Sequence, residues 1–385
     1  SNFTASFSKL DHQFTDQLQI EIPVIDSINQ KEDRKSNNIL DEFKIKVDNM
    51  ISVHRNHTLE WGVGLYSNRI SLVEDTFKID YININDNASR YLMYIQDYMS
   101  IGKKVILKTG LRYTHAFSLK KVYLDPRISI SYQPNDFIKL NAAWGIYSQF
   151  ITQSSVVDAL GNYRYFWAIC NNEEIPVLRS NHTVLAYSFH KNNITFIIEG
   201  YYKYTDGITR YISFPQHNIE NIVSGTSRSF GMDVFLQATL KRHSAWIAYS
   251  LSKTEEYFNY FIDREYRRAP QDQRHEIKLA LLLNFNPFYF SSNYVYGSGF
   301  PFKPATIVAD DSDNLDYSRL DVSFIYKFLD RKMKGEIGLS ILNVLNTQNI
   351  KYTNFERIPA THQSSITVYA EAIPFTPTLY FKIAL

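Results

Sequence analysis

Residues 319–341 read RLDVSFIYKFLDRKMKGEIGLSI, and the alternation in this stretch decides the fold class. Leu320, Val322, Phe324, Tyr326 and Phe328 alternate with Arg319, Asp321, Ser323, Ile325 and Lys327. Beyond the charged turn Leu329-Asp330-Arg331-Lys332, Ile337, Leu339 and Ile341 alternate with Glu336, Gly338 and Ser340. A period of two is a strand with two unlike faces. The same period recurs where Ile194, Phe196 and Ile198 alternate with Thr195, Ile197 and Glu199, and where Leu379, Phe381, Ile383 and Leu385 alternate with Thr378, Tyr380, Lys382 and Ala384. A soluble β-sandwich would show it too, so length has to separate the two. Ten residues at about 3.3 Å each, tilted about 45°, rise about 23 Å, the height of the apolar band of a transmembrane β-barrel. Soluble strands usually stop at about five or six residues.

Outward from this hairpin the chain keeps one rhythm. Short turns rich in Asn, Asp, Pro, Gly and charge stand at His54-Arg55-Asn56-His57, Ile101-Gly102-Lys103, Gln133-Pro134-Asn135-Asp136, His190-Lys191-Asn192-Asn193, Leu240-Lys241-Arg242-His243 and Asn284-Phe285-Asn286-Pro287. Between them lie long polar stretches at 11–39, 67–89, 114–124, 147–178, 206–225, 254–272, 297–315 and 346–376. About seven short and eight long connections imply roughly sixteen strands, with the short turns on one side of a membrane and the long loops on the other. The expected fold is an all-β, antiparallel, meandering transmembrane β-barrel wall, one domain over residues 1–385, with its edges at Phe3–Lys9 and Thr378–Leu385. Many of the 28 Tyr and 26 Phe sit near the ends of the strand segments, where a membrane–water girdle would lie.

Composition narrows the function classes. No run of eighteen apolar residues offers a transmembrane helix. The slightly negative mean hydropathy suits a barrel with polar loops and a polar lumen. A net charge of +2 is too balanced to suggest nucleic acid. The single cysteine, Cys170, cannot form an internal disulfide. No Gly-X-Ser-X-Gly, Walker loop, His-Glu-X-X-His or paired Cys-X-X-Cys motif is present, so no enzyme is expected. Ten scattered histidines lack ligand spacing, so no cofactor or metal is expected either.

Several segments resemble the C-terminal barrel of the TonB-dependent outer-membrane transporters. Arg267-Arg268-Ala269-Pro270-Gln271-Asp272-Gln273-Arg274-His275-Glu276 is similar to the family's Pro-X-Asp-X-Arg-His entry into a late strand. Tyr296-Gly297-Ser298-Gly299-Phe300-Pro301, Tyr317-Ser318-Arg319-Leu320-Asp321-Val322 and Ser340-Ile341-Leu342-Asn343-Val344-Leu345-Asn346 follow in the family's order. Asp125-Pro126-Arg127-Ile128 and Ala143-Trp144-Gly145-Ile146-Tyr147 resemble its mid-barrel strands. Two departures stand out: Leu385 stands last where the family usually has an aromatic residue, and residues 1–385 include no segment read as the family's plug domain. The resemblance implies a plugged barrel of about 22 strands, of which about sixteen are present here as the C-terminal part of a longer chain. It implies a bacterial outer-membrane location and active uptake of a scarce nutrient such as a ferric chelate, cobalamin, glycan or peptide. Its implied partners are outer-membrane lipid, the plug domain of the same protein, a TonB-type energising protein acting through that plug, and a surface lipoprotein. The alternative is a complete sixteen-stranded diffusion porin with an inward-folded loop.

The lipid cost of charge sets the phase of each strand. It sends Leu279, Leu281, Leu283, Leu320, Val322, Phe324, Leu339, Ile341, Phe381 and Ile383 outward, and Lys278, Arg319, Asp321, Ser323, Glu336, Ser340 and Lys382 inward. Lys108, Arg112, Arg127, Ser129, Glu199, Lys203, Asp233 and Gln237 join the inward set; Arg112, Arg127, Arg319 and Asp321 are the candidate lumen wall. Aromatic platforms beside arginine suit sugars, aromatic chelates or peptides. On that ground the candidate ligand contacts in the outer loops are Tyr147, Gln149, Tyr163, Arg164, Tyr165, Trp167, Arg264, Tyr266, Arg267 and Arg268.

Overall fold

The computed structural model describes residues 1–21, 29–76, 79–157, 163–214, 219–299, 316–330, 333–357 and 365–384. Every regular element among them is a β-strand. The wall begins with β1 (Asn2–Glu21), β2 (Asn29–His54), β3 (His57–Thr76), β4 (Ile79–Ile101), β5 (Val105–Ala116), β6 (Lys121–Tyr132) and β7 (Ile138–Gln149). A hairpin of β8 (Ile151–Val157) and β9 (Tyr163–Ile169) interrupts it. The wall resumes with β10 (Leu178–Lys191), β11 (Ile194–Phe214), β12 (Ile219–Leu240), β13 (His243–Phe258), the two-residue β14 (Arg267–Arg268), β15 (His275–Asn284), β16 (Phe288–Gly297), β17 (Tyr317–Asp330) and β18 (Met333–Leu342). A second hairpin, β19 (Ile350–Arg357) and β20 (Ser365–Glu371), forms a sheet of its own before the last wall strand, β21 (Thr376–Ala384).

Apart from the two hairpins and β14, sixteen strands pair antiparallel in chain order, from β1–β2 to β18–β21. Six of the expected short turns join neighbouring strands as read, and the tip of the seventh, Arg331-Lys332, lies outside the described residues. Leu385 also lies outside them. Among the described residues β1 pairs with β2 alone and β21 with β18 alone, so no ladder joins the two edges.

One expectation fails. Strands run through 11–21, 29–39, 67–76, 79–89, 206–214 and 219–225, the described parts of three stretches that the sequence reads as loops, giving β2 26 residues, β4 23 and β12 22. Likewise β5 and β6 leave only a four-residue turn where 114–124 reads as a loop. A strand is made by a cross-strand partner, and these polar segments find one: β2 and β3 stay in register as far as Arg34↔Thr76. Polar side chains on both faces give no apolar contrast to read.

Directly paired residues share a face of the sheet. One face carries Phe196–Leu236–Ile247–Leu279–Tyr294–Leu320 across six strands. The other carries Lys278–Val295–Arg319, and the whole expected inward set falls on it: Ser323↔Ser340, Lys327↔Glu336 and Glu336↔Lys382 are direct partners. The outward set shares the apolar face, with Val322↔Ile341, Phe324↔Leu339 and Ile337↔Phe381. Aromatic rings line the short-turn end of that face, where Phe288 stacks on Phe324 at 5.9 Å and on Tyr326 at 5.1 Å.

The β8–β9 hairpin shows which face is concave. Trp167 N donates to Asn38 Oδ1 on β2 at 2.7 Å, while β8 pairs parallel with β11 at Arg210↔Ser155. Along the wall β2 and β11 are seven strand spacings apart, about 34 Å if the sheet were flat. A two-stranded hairpin can touch both only if the sheet curls around it. The side chains it meets, Asn38, Leu72 and Arg210, lie on the polar face, so that face is concave and the apolar face convex.

Candidate functional site

The mouth of the concavity, at the end opposite the short turns, is organised by the β8–β9 hairpin and the segment that follows it. Phe166, Ala168, Cys170, Ile175 and Val177 pack with Leu72 of β3 and Tyr123 of β6 in the buried apolar cluster. The chain reaches this cluster through an Asx turn, in which Asn171 Oδ1 accepts the backbone N–H groups of Glu173, Glu174 and Ile175 at 2.9–3.0 Å. Asn172 takes φ 61° and donates through Nδ2 to Tyr123 Oη at 2.9 Å. Burial pushes the Cys170 thiol up to about 12, so it packs as a small apolar group.

On the far side the anchor is Arg210. Before Gly207, β11 sends its odd residues, Lys203 and Thr205, to the concave face. A bulge between Asp206 and Ile208 inserts one residue, and Gly207 takes φ +86°. The phase therefore switches, and the even-numbered Arg210 points inward. Its Nη2 donates to Glu256 Oε2 at 2.6 Å and its Nη1 to Tyr260 Oη at 2.6 Å, and its guanidinium lies 4.5 Å from the Phe258 ring centroid. Gln271 Nε2 donates to the other oxygen of Glu256 at 3.3 Å. Tyr165, half exposed at the hairpin, has its hydroxyl pKa raised by burial and by the Glu256 carboxylate.

Deeper in, the concave wall is a hydrogen-bonded polar surface. Tyr94 Oη donates to Asp48 at 2.5 Å and lies 3.1 Å from Glu60, which also accepts from Tyr98 at 3.1 Å. Lys46 pairs with Asp48 at 2.7 Å. Arg112 and Arg127 line the same recess of about 260 Å³. Arg127 lies 4.6 Å from the Tyr147 ring, which packs on His182 at 4.8 Å, and the buried Arg127 Nε has no hydrogen-bond partner among the described residues. On the late strands Arg319 Nη2 meets Asp321 at 2.6 Å, and Asp321 also accepts Asn343 N at 2.9 Å. Such a surface offers donors, acceptors and charge of both signs to a hydrated solute or to another folded segment. Among the described residues no group of three His, Cys, Asp or Glu could hold a metal ion.

The residues expected to meet ligand divide. Tyr147 lies on the concave face and Tyr165 and Trp167 on the hairpin at the mouth, while Gln149 donates to Ile151 O at 2.6 Å. The side chains of Tyr163 and Arg164 lie outside the described residues. Arg267 stays near the mouth, its Nε 3.0 Å from Asp263 and its guanidinium 4.4 Å from the Phe261 ring. Tyr266 instead packs on the convex side, 2.8 Å from Thr226 Oγ1 and 4.1 Å from the Arg228 guanidinium, and Arg264 lines the same recess. Arg268 pairs with the buried Asp272 at 2.7 Å. Glu256 and Tyr260 belong to segment 254–274, which the sequence offers as a ligand-contacting outer loop, but Arg210 escapes the sequence reading. Its only local signal is Gly207 inside a strand pattern, which marks a bulge.

No protein-family model and no curated protein matches the chain. Solved structures do. The FrpB iron transporter from Neisseria meningitidis superposes with a TM-score of 0.61 at 13% identity, over 99% of this chain and 63% of its own. The copper transporter OprC gives 0.64 at 12%, over 98% and 60%. The ferric enterobactin receptor PfeA from Pseudomonas aeruginosa gives 0.61 at 10%, over 92% and 58%. The chain thus spans about three-fifths of the length of the solved transporters it matches.

Proposed function

We propose that this chain, whose fold is that of the barrel of TonB-dependent outer-membrane transporters, works as part of the wall of such a transporter in a Gram-negative outer membrane. The observation that carries the reading is the pair of free edges: among the described residues β1 and β21 do not pair with each other, in a fold that covers 63% of a transporter's length. Unpaired backbone groups are not tolerated in lipid, so further strands, about six for a wall of about 22, are needed between those edges. A plug domain of the same protein fits the concave polar wall around Tyr94, Arg112, Arg127, Arg319 and Asp321. Scarce cargo, a ferric chelate, cobalamin, glycan or peptide, enters past Tyr147, Tyr165, Trp167 and Arg267. An outer membrane has no ATP, so a TonB-type protein supplies energy through the plug, and a surface lipoprotein is a natural partner at the mouth. The fold's relatives transport rather than catalyse, and no enzymatic role is proposed.

The inward β8–β9 hairpin is the one feature that favours a diffusion porin, whose constriction loop would lie there. A porin of sixteen strands would also need a β1–β21 ladder. Uptake by cells carrying the full-length protein separates the two. Active transport stops when the proton gradient is collapsed or the energising protein is deleted; porin flux continues unchanged.

A further inference from the structure

We propose that the convex face of β11–β13 binds the phosphate of an anionic lipid headgroup in the outer leaflet, through Arg228, Lys253 and Arg264 arranged about Glu255 and Tyr266. The proposal rests on the reading of this wall as membrane-spanning.

The register fixes the face. Phe196–Leu236–Ile247, Ile198–Val234–Tyr249, Gly200–Met232–Leu251 and Tyr202–Phe230–Lys253 climb the convex side row by row, and Tyr204–Arg228–Glu255 is the next row. Charge appears where the apolar rows stop. Height agrees: Lys253 is the tenth residue beyond His243, where the short turn ends, and about 2.3 Å of rise per tilted residue brings it to about 23 Å, the top of the apolar band. Exposed Tyr202 and Phe230 stand directly below, as interfacial aromatics do.

The chemistry is that of an anion site. Glu255, its side chain 8% exposed, is bridged by Arg228 Nε at 2.8 Å and by Lys253 Nζ at 2.6 Å. Both cations are held side by side by Glu255, and with Arg264 and Glu265 at the same recess the cluster sets three cations against two carboxylates, leaving one positive charge over. Arg228 is pinned at Nε and stacked on Tyr266, which orients its guanidinium, and its Nη groups have no hydrogen-bond partner among the described residues. A guanidinium with a free edge is suited to phosphate oxygens. Arg264, exposed and held at φ 51°, opens into the same recess of about 730 Å³, walled by Tyr204 and Tyr257 and carrying the exposed Glu265 at its rim. Tyrosine rings present an apolar body to acyl chains and a hydroxyl to a headgroup.

The test uses full-length protein in phosphatidylcholine vesicles doped with lipid A, a glycolipid carrying two phosphates, or with the same lipid dephosphorylated. Lipid retained after extraction is counted by native mass spectrometry. Wild type should keep the phosphorylated lipid at least about tenfold better. Two variants guard against a folding artefact: Arg228→Gln/Lys253→Gln/Glu255→Gln removes the cations together with the carboxylate they neutralise, and Arg264→Gln touches only the rim. The triple variant should lose the preference and the rim variant should weaken it, both while still inserting. Equal retention of the two lipids, or an unchanged preference in the triple variant, overturns the proposal. Displacement of the bound lipid by inorganic phosphate alone also overturns it, because the site would then be one for a soluble anion. Failure of wild type to insert at all overturns the membrane reading as well; insertion without discrimination overturns the headgroup site alone.

Discussion

The late strands β15–β18 and the early strands β1–β4 are built to different plans. β15, β16 and β18 have ten residues each, so most of each strand lies at the height of the apolar band. β2 has 26 and β4 has 23, more than twice what the band needs, and their outer halves stand above it. On β3 the convex face reads Leu59, Trp61, Val63 and Leu65 and then turns polar at Ser67, Arg69 and Ser71. On the proposed membrane reading, lipid holds the first kind of strand, with apolar side chains solvated by acyl chains and charge driven to the concave face. Contacts within the protein hold the outer halves of the second: ladder hydrogen bonds, the apolar cluster under β8–β9 and the Arg210–Glu256 pair.

The sharpest way to break this contrast is to attack an anchor that lipid cannot replace. Arg210→Met leaves Glu256 buried without its cation and should cost about 3–5 kcal/mol. Hydrogen exchange should show amides at 151–157 and 163–169 losing protection while those of β15 and β16 keep theirs. Next in size is a charge placed in the apolar band. Leu279→Arg should cost about 2–4 kcal/mol in chemical unfolding from lipid. Ile39→Arg, on the same face of β2 but above the band, should stay within about 0.5 kcal/mol. Equal costs would mean that the outer half of β2 is also in lipid. Smaller again is Gly207→Ala, which forces a side chain into left-handed backbone 3.0 Å from Val177 O. A cost of about 1–2 kcal/mol is expected, read as faster proteolysis of the β8–β9 hairpin. Smallest is Arg319→Gln, which removes a partly exposed ion pair and should change stability by about 1 kcal/mol or less.

The same contrast explains what the sequence reveals. The β17–β18 hairpin is legible residue by residue, because one face carries apolar groups at every second position and a polar face answers it. Each short turn is legible because Asn, Pro, Gly and charge act locally. The outer halves of β1–β4 are not, since Asn37, Asn38, Asp41 and Glu42 alternate without any apolar contrast. The site at the mouth is harder still. Arg210 faces inward only because Gly207 shifts the phase, and it meets Tyr260 and Glu256 some fifty residues away in sequence, a pairing no local pattern encodes. For the same reason Tyr266 and Arg264 read as part of a ligand platform beside Arg267, although the chain turns them to the convex side.

The central claim is that β1 and β21 are two edges of a larger wall. It is tested most directly by the distance between them in the full-length protein. Spin labels at Ser8→Cys and Thr378→Cys, in a Cys170→Ser background, report that distance by pulsed electron resonance in lipid. With several strands between the edges the separation should be about 20–35 Å. A separation below about 10 Å would make the two strands neighbours, close the wall at sixteen and contradict the account.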